Sequence, residues 1–230
     1  MPGSSSSGQQ NCCECCTACN YVTGLYGTGI DDGTAGSADG EGNTCLRDLY
    51  WDANGSPAKI IRAINQFGYG CSPTDALWIS SVCDGSDDAT VGGADGTEIV
   101  FTTEFEIAPG ACLSRIVLSG QYSADNYVKA GGWKVNGVDQ CHIYHGSFYN
   151  TLTLGCLAFE ITHAQAQFVH GTNTVEITVK NGYYGVGDYG GPSGLRLEWA
   201  CFDILDGYEE PSSSSRSSDC VTEPDDRDEP

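Results

Sequence analysis

Positive charge is scarce in this chain: 10 Lys and Arg stand against 31 Asp and Glu, giving a net charge of −21. A surface this acidic repels phosphate backbones and anionic lipid, so neither nucleic acid nor a membrane surface is an expected partner. Methionine is limited to one residue at position 1, and charged residues of all kinds make up only 18%. Few long helix-forming side chains remain. No apolar run is long enough to span a membrane. Met1-Pro2-Gly3-Ser4 leads into serines and cysteines without the apolar segment of a secretory signal. G-x-S-x-G, HExxH and P-loop patterns are absent, and nothing singles out an acid/base pair of carboxylates, so no catalytic residue is expected.

What is abundant points to β structure. The 230 residues include 31 Gly, 12 Tyr and 4 Trp. That composition suits short strands joined by many turns. The alternation is strict from Val100 to Ile107: Phe101, Thr103, Phe105 and Ile107 point one way, and Thr102, Glu104 and Glu106 the other. Val175, Ile177 and Val179 alternate with Thr and Glu, and Leu195, Leu197 and Trp199 with Arg196 and Glu198. Further strands are expected near 21–26, 49–51, 59–63, 77–80, 114–122, 127–135 and 157–161. Asn136-Gly137 is a hairpin turn, since both residues tolerate positive φ. The best helix candidate is Ala58–Gln66. Two sheets packed face to face would bury these one-sided strands.

Three segments follow. Residues 1–19 form a Ser/Gly and Cys-rich arm, residues 20–205 a β-sandwich, and residues 206–230 an acidic tail with nine acids and two bases. The central span alone still carries about −13.

Thirteen cysteines is a high count for such a chain. Cys45, Cys71, Cys83, Cys112, Cys141, Cys156 and Cys201 are dispersed, which favours disulfides and an oxidising environment over metal sites. Cys141 and Cys156 flank one insertion and are the first expected pair; Cys71 and Cys83 are the second. The missing signal segment is reconciled with oxidation if the protein is virion-associated or is exported by another route. Cys12, Cys13, Cys15, Cys16 and Cys19 contain overlapping CxxC spacings, which suit a zinc or iron–sulfur half-site. No matching second half follows, so a cross-linked arm that could join copies of the chain is preferred.

The run Phe101–Ile107, then Ile116–Asn126 ending Ala-Asp-Asn, then Val135-Asn136-Gly137, is followed by Gly171-Thr-Asn173 opening an amphipathic strand and by Gly194–Glu198. This order of motifs resembles the galactose-binding-domain-like jelly roll, in particular a domain of exported bacterial proteins that carry a sorting signal. An opening like Leu25–Asp31 before a strand like Trp78-Ile79 belongs to the same resemblance. It covers roughly residues 21–204. Here the chain adds cysteines, the arm and an insertion at 144–156.

The resemblance implies an all-β, two-layer antiparallel jelly-roll sandwich. It implies a non-enzymatic module that meets a glycan, or a cell-surface or virion protein, through loops at one end. Asp125 and Asn126 would accept sugar hydroxyls there; Trp133, Tyr144 and the loop tyrosines Tyr183, Tyr184 and Tyr189 would supply rings. The plainer reading of Asp125 and Asn126 is loop capping, and of the tyrosines, cover for the core. The alternative function is a structural subunit of a virion, fibre or surface layer. No cofactor is required. A structural Ca²⁺ is an option at Asp31, Asp32, Asp39, Glu41 and Asn43, or at Asp84, Asp87, Asp88 and Asp95, although solvated acidic loops explain both groups. His142 and His145, three apart, are a weak metal pair; His163 and His170 are expected to pack or cap turns.

Overall fold

The computed structural model describes residues 18–38, 44–61, 76–82, 98–125, 127–143, 156–180 and 193–203. Its strands are β1 (Val22–Thr23), β2 (Asp31–Ala38), β3 (Thr44–Ala53), β4 (Ser56–Ile60), β5 (Ile79–Ser80), β6 (Glu98–Ile107), β7 (Ile116–Asp125), β8 (Tyr127–Val135), β9 (Val138–Asp139), β10 (Leu157–Thr162), β11 (Gly171–Lys180) and β12 (Gly194–Asp203). The α-helical segment among the described residues is the single turn α1 (His163–Ala166). The fold is therefore all-β.

All twelve strands belong to one antiparallel sheet, in the order β10-β7-β12-β5-β4-β3-β6-β11-β8-β9, with β1 on β6 and β2 on β3. The sheet's two wings share one core. Tyr122 on β7 and Trp133 on β8 are far apart in strand order, yet their rings lie 5.4 Å apart. Trp199 on β12 meets Trp133 at 6.2 Å. Phe159 sits among all three rings.

The alternating strands produce this core directly. Phe101, Thr103, Phe105 and Ile107 are buried, while Glu104 and Glu106 are exposed. Ile116, Leu118, Val175, Ile177, Val179 and Leu197 are all buried as well, and Trp199 is partly so. Each such side chain contributes about 1.5–3 kcal/mol by leaving water.

Local signals fix the register. At the β8–β9 hairpin, Asn136 takes φ 52° and Gly137 φ 76°, the left-handed pair that such a turn requires. Asn136 also reaches across the sheet: its Nδ2 donates to Asn173 Oδ1 at 2.9 Å, and its Oδ1 accepts from the Thr174 N–H. Asn173 is buried and donates to the Val169 and Gly171 carbonyls. The Gly-x-Asn and Asn-Gly motifs thus act as one clamp between β8 and β11.

Near the start of the chain, buried Asp48 accepts backbone N–H groups from Gly29, Tyr50 and Trp51 and so shapes the approach to β3. Burial pushes its carboxyl above the usual range, and those N–H bonds pull the other way.

Three expectations are corrected. Ala58–Ile60 is strand β4, where a helix over 58–66 was expected; residues 62–66 lie outside the described part. Ile60 sits between Leu46 and Ile79 in the sheet, and that pairing overrides the local helical pattern. Asp31 and Asp32 belong to strand β2, where an acidic loop was expected. Asp125, expected at a ligand-meeting loop, is the last residue of strand β7.

Candidate functional site

The outer face of the wing β10-β7-β12 carries a trough of about 570 Å³. Two rows of directly paired residues build it. Glu160, Ser119 and Ala200 form one; Ala158, Gln121 and Glu198 form the other. Their alternating neighbours Leu118, Tyr122, Phe159 and Leu197 point into the core, which places the two rows on the opposite face. Gly120, Phe159 and Trp199 line it as well, so apolar surface lies beside the carboxylates and the amide.

Gly120 lies between the rows. A Cβ there would fall 1.9 Å from the Glu198 carbonyl oxygen and 2.6 Å from the Phe159 ring, so only glycine lets β7 approach β12. His142 fixes one flank, with Nε2 2.8 Å from the Glu160 carbonyl oxygen. The lining offers hydrogen-bond acceptors to a ligand rich in hydroxyl donors.

Further along the same face, Ser123 pairs with Arg196 and Asp125 with Gly194. Arg196 is half-buried; desolvation lowers its pKa, and Glu198 acts in the opposite sense. Asp125 is 4% exposed, and burial raises its pKa from 3.8 to about 7. Desolvation is the cause of that rise.

The residues expected to bind ligand part company here. Asp125 is present but buried. Trp133 is corrected: it is 1% exposed and packed among Tyr122, Phe159 and Trp199, so it offers no ring face to a sugar. Its place on β8 turns the indole inward, against rings of the other wing. Asn126, Tyr144, Tyr183, Tyr184 and Tyr189 lie outside the described residues. Cys71 and Cys83, the arm cysteines Cys12 to Cys16, the acids Asp39, Glu41, Asn43, Asp84, Asp87, Asp88 and Asp95, and His145 do so too.

Cys45, Cys141, Cys156 and Cys201 are disulfide-bonded. Cys112 has its Sγ 3.4 Å from Ser114 Oγ. His170 Nε2 lies 3.0 Å from the Ala111 carbonyl oxygen, and His163 stacks near Phe168. Among the described residues no cluster of three His, Cys, Asp or Glu side chains is placed to hold a metal. No helix among them is long and apolar enough to cross a membrane.

Sequence reasoning missed the trough, because Ser119, Gln121, Glu160 and Glu198 look like ordinary outward positions on amphipathic strands. It also missed the stacked pair Tyr26–Tyr50, whose rings lie 3.7 Å apart on the surface. No family model, no curated protein and no solved structure matches this chain.

Proposed function

We propose that the chain is a non-enzymatic binding module of jelly-roll, galactose-binding-domain-like type that holds a saccharide or similar hydroxyl-rich surface ligand. The observation that carries this reading is the trough over β10-β7-β12, lined by Gln121, Glu160 and Glu198 beside Phe159 and Trp199. A neutral sugar's hydroxyls can donate to the Glu160 and Glu198 carboxylates and accept from the Gln121 amide, whereas a net charge of −21 disfavours polyanions. The sheet face therefore replaces the loop end as the contact surface in this reading. One isolated trough should bind weakly, on the order of millimolar, because sugar hydroxyls surrender water bonds as they gain protein bonds. Several copies joined through the Cys-rich arm would add avidity.

An extracellular or virion-associated setting fits the bonded cysteines. In the competing reading the chain is a structural subunit cross-linked through its arm.

The test is binding to immobilised glycans. Gln121→Ala and Glu198→Ala should each weaken binding at least five-fold, while Trp133→Phe should leave affinity unchanged. Loss of binding in Trp133→Phe, with the fold intact, would return the site to the loop end. If no glycan binds and the protein forms regular reductant-sensitive multimers by light scattering, the structural reading takes its place.

A further inference from the structure

A second polar row lies on the outer face of β3-β4-β5, apart from the trough. Arg47 pairs directly with Lys59, and Lys59 directly with Ser80. Residues paired this way share one face. The adjacent positions Leu46, Ile60 and Ile79 pair in the same manner and turn toward the core. Arg47, Lys59 and Ser80 therefore project together from the other side.

Each of the three has unused donor capacity. Arg47 Nε is shut from solvent and makes no hydrogen bond. Ser80 is 0% exposed, and its hydroxyl has no partner. Among the described residues neither Arg47 nor Lys59 forms an ion pair; the salt bridge that does form joins Lys129 to Glu98. Like charges directly opposite on neighbouring strands destabilise a sheet. The chain has only 10 bases against 31 acids, so setting two of them side by side runs against its own charge pattern.

Lys59 registers the strain. Desolvation lowers its pKa first and Arg47 lowers it further, while Asp32 on β2 opposes both.

We infer that Arg47, Lys59 and Ser80 form a binding site for a tetrahedral oxyanion, a phosphate or sulfate group, on the outer face of β3-β4-β5. A guanidinium N–H, an ammonium and a hydroxyl in one row give three donors to three oxygens of such a group. The bound charge would offset the repulsion between the two cations and give the buried serine a partner. The protein's overall negative field does not forbid this. At physiological salt, charges more than about 8 Å away are largely screened. A single oxyanion is recognised by its local donors, whereas a long polyanion meets the rest of the acidic surface.

The test uses the full chain and inorganic phosphate, titrated against sodium chloride of equal ionic strength and followed by NMR of the lysine ammonium groups and by calorimetry. The expected result is saturable binding in phosphate alone, with the Lys59 signal moving. Lys59→Met and Arg47→Met should each weaken it at least ten-fold, and Ser80→Ala about three-fold. Lys59→Arg should keep most of the affinity, which separates lost charge from lost fold. Glu198→Ala, in the trough, should leave phosphate binding unchanged.

A sugar phosphate and a sugar sulfate provide the second arm. Ten-fold tighter binding than the inorganic ion would support recognition of the group on a saccharide. Equal binding would support a site for the free ion. Identical responses to phosphate and chloride, or unchanged affinity in Lys59→Met, would overturn the assignment.

Discussion

Asp125 holds its carboxyl on the last residue of β7, away from water. Its folded pKa of about 7 lies above the unfolded value of 3.8. Between those values the native state binds more protons than the unfolded chain, so stability falls as pH rises. The stabilisation is fully present below about pH 4, drains away through about pH 7 and is gone above that. The change is of order a few kcal/mol. Asp125→Asn should therefore be more stable than the parent at pH 8, should lose that advantage at pH 4, and should flatten the profile between them. Urea melts across this range check it; a parent whose stability rises from pH 4 to pH 7 would refute it. The sequence alone gave Asp125 a polar environment at a loop. Its burial goes with the pairing of β7 and β12, which sets Gly194 opposite it, and no local pattern reports that.

At the scale of elements, legibility followed period and turn chemistry. β6, β11 and β12 alternate strictly, and their inward sets were readable because one face of each is buried. Asn136-Gly137 was readable because few residues accept positive φ. The same dipeptide at Asn54-Gly55 turns β3 into β4, with φ 52° and 74°, and the same reasoning would have found it.

β2 was not legible. Asp31, Asp32 and Gly33 have little strand propensity, and β2 exists because it pairs with β3. The trough was equally hidden: it depends on which outward residues become neighbours across β10, β7 and β12, a property of register between distant segments. Asn173 shows how a motif can be conspicuous for structural reasons. Its amide holds Val169, Gly171 and Asn136 together. Asn173→Ala would leave several buried groups unpaired and should cost about 2–4 kcal/mol. Chemical denaturation would measure this, and a loss under about 0.5 kcal/mol would mean that the clamp is not what secures β8 to β11.

The whole molecule combines a well-packed apolar core with a charge of −21. Bonded thiols at Cys45, Cys141, Cys156 and Cys201 limit the unfolded chain. If Cys141 and Cys156 join each other, closing about 15 residues, that link alone contributes about 3 kcal/mol in the chain-entropy picture. Non-reducing peptide mapping should recover all four cysteines in bridged peptides, and four free thiols there would contradict the structure.

The charge acts in the opposite direction. Excess acids repel one another most when the chain is compact, so screening should favour the folded state. Sodium chloride raised from about 0.05 to 0.5 M should lift the thermal midpoint by several degrees at pH 8. This gain should persist at pH 5, where most surface carboxylates are still ionised, and it should persist in Asp125→Asn. The pH effect should shrink in that variant to the smaller part that buried Asp48, whose carboxyl is also raised, contributes. The two electrostatic costs are then separable: one belongs to a single buried carboxyl and ignores salt, and the other belongs to the whole surface and ignores the substitution. A midpoint that falls with chloride in both proteins would show that specific ion pairs, more than general repulsion, govern the balance.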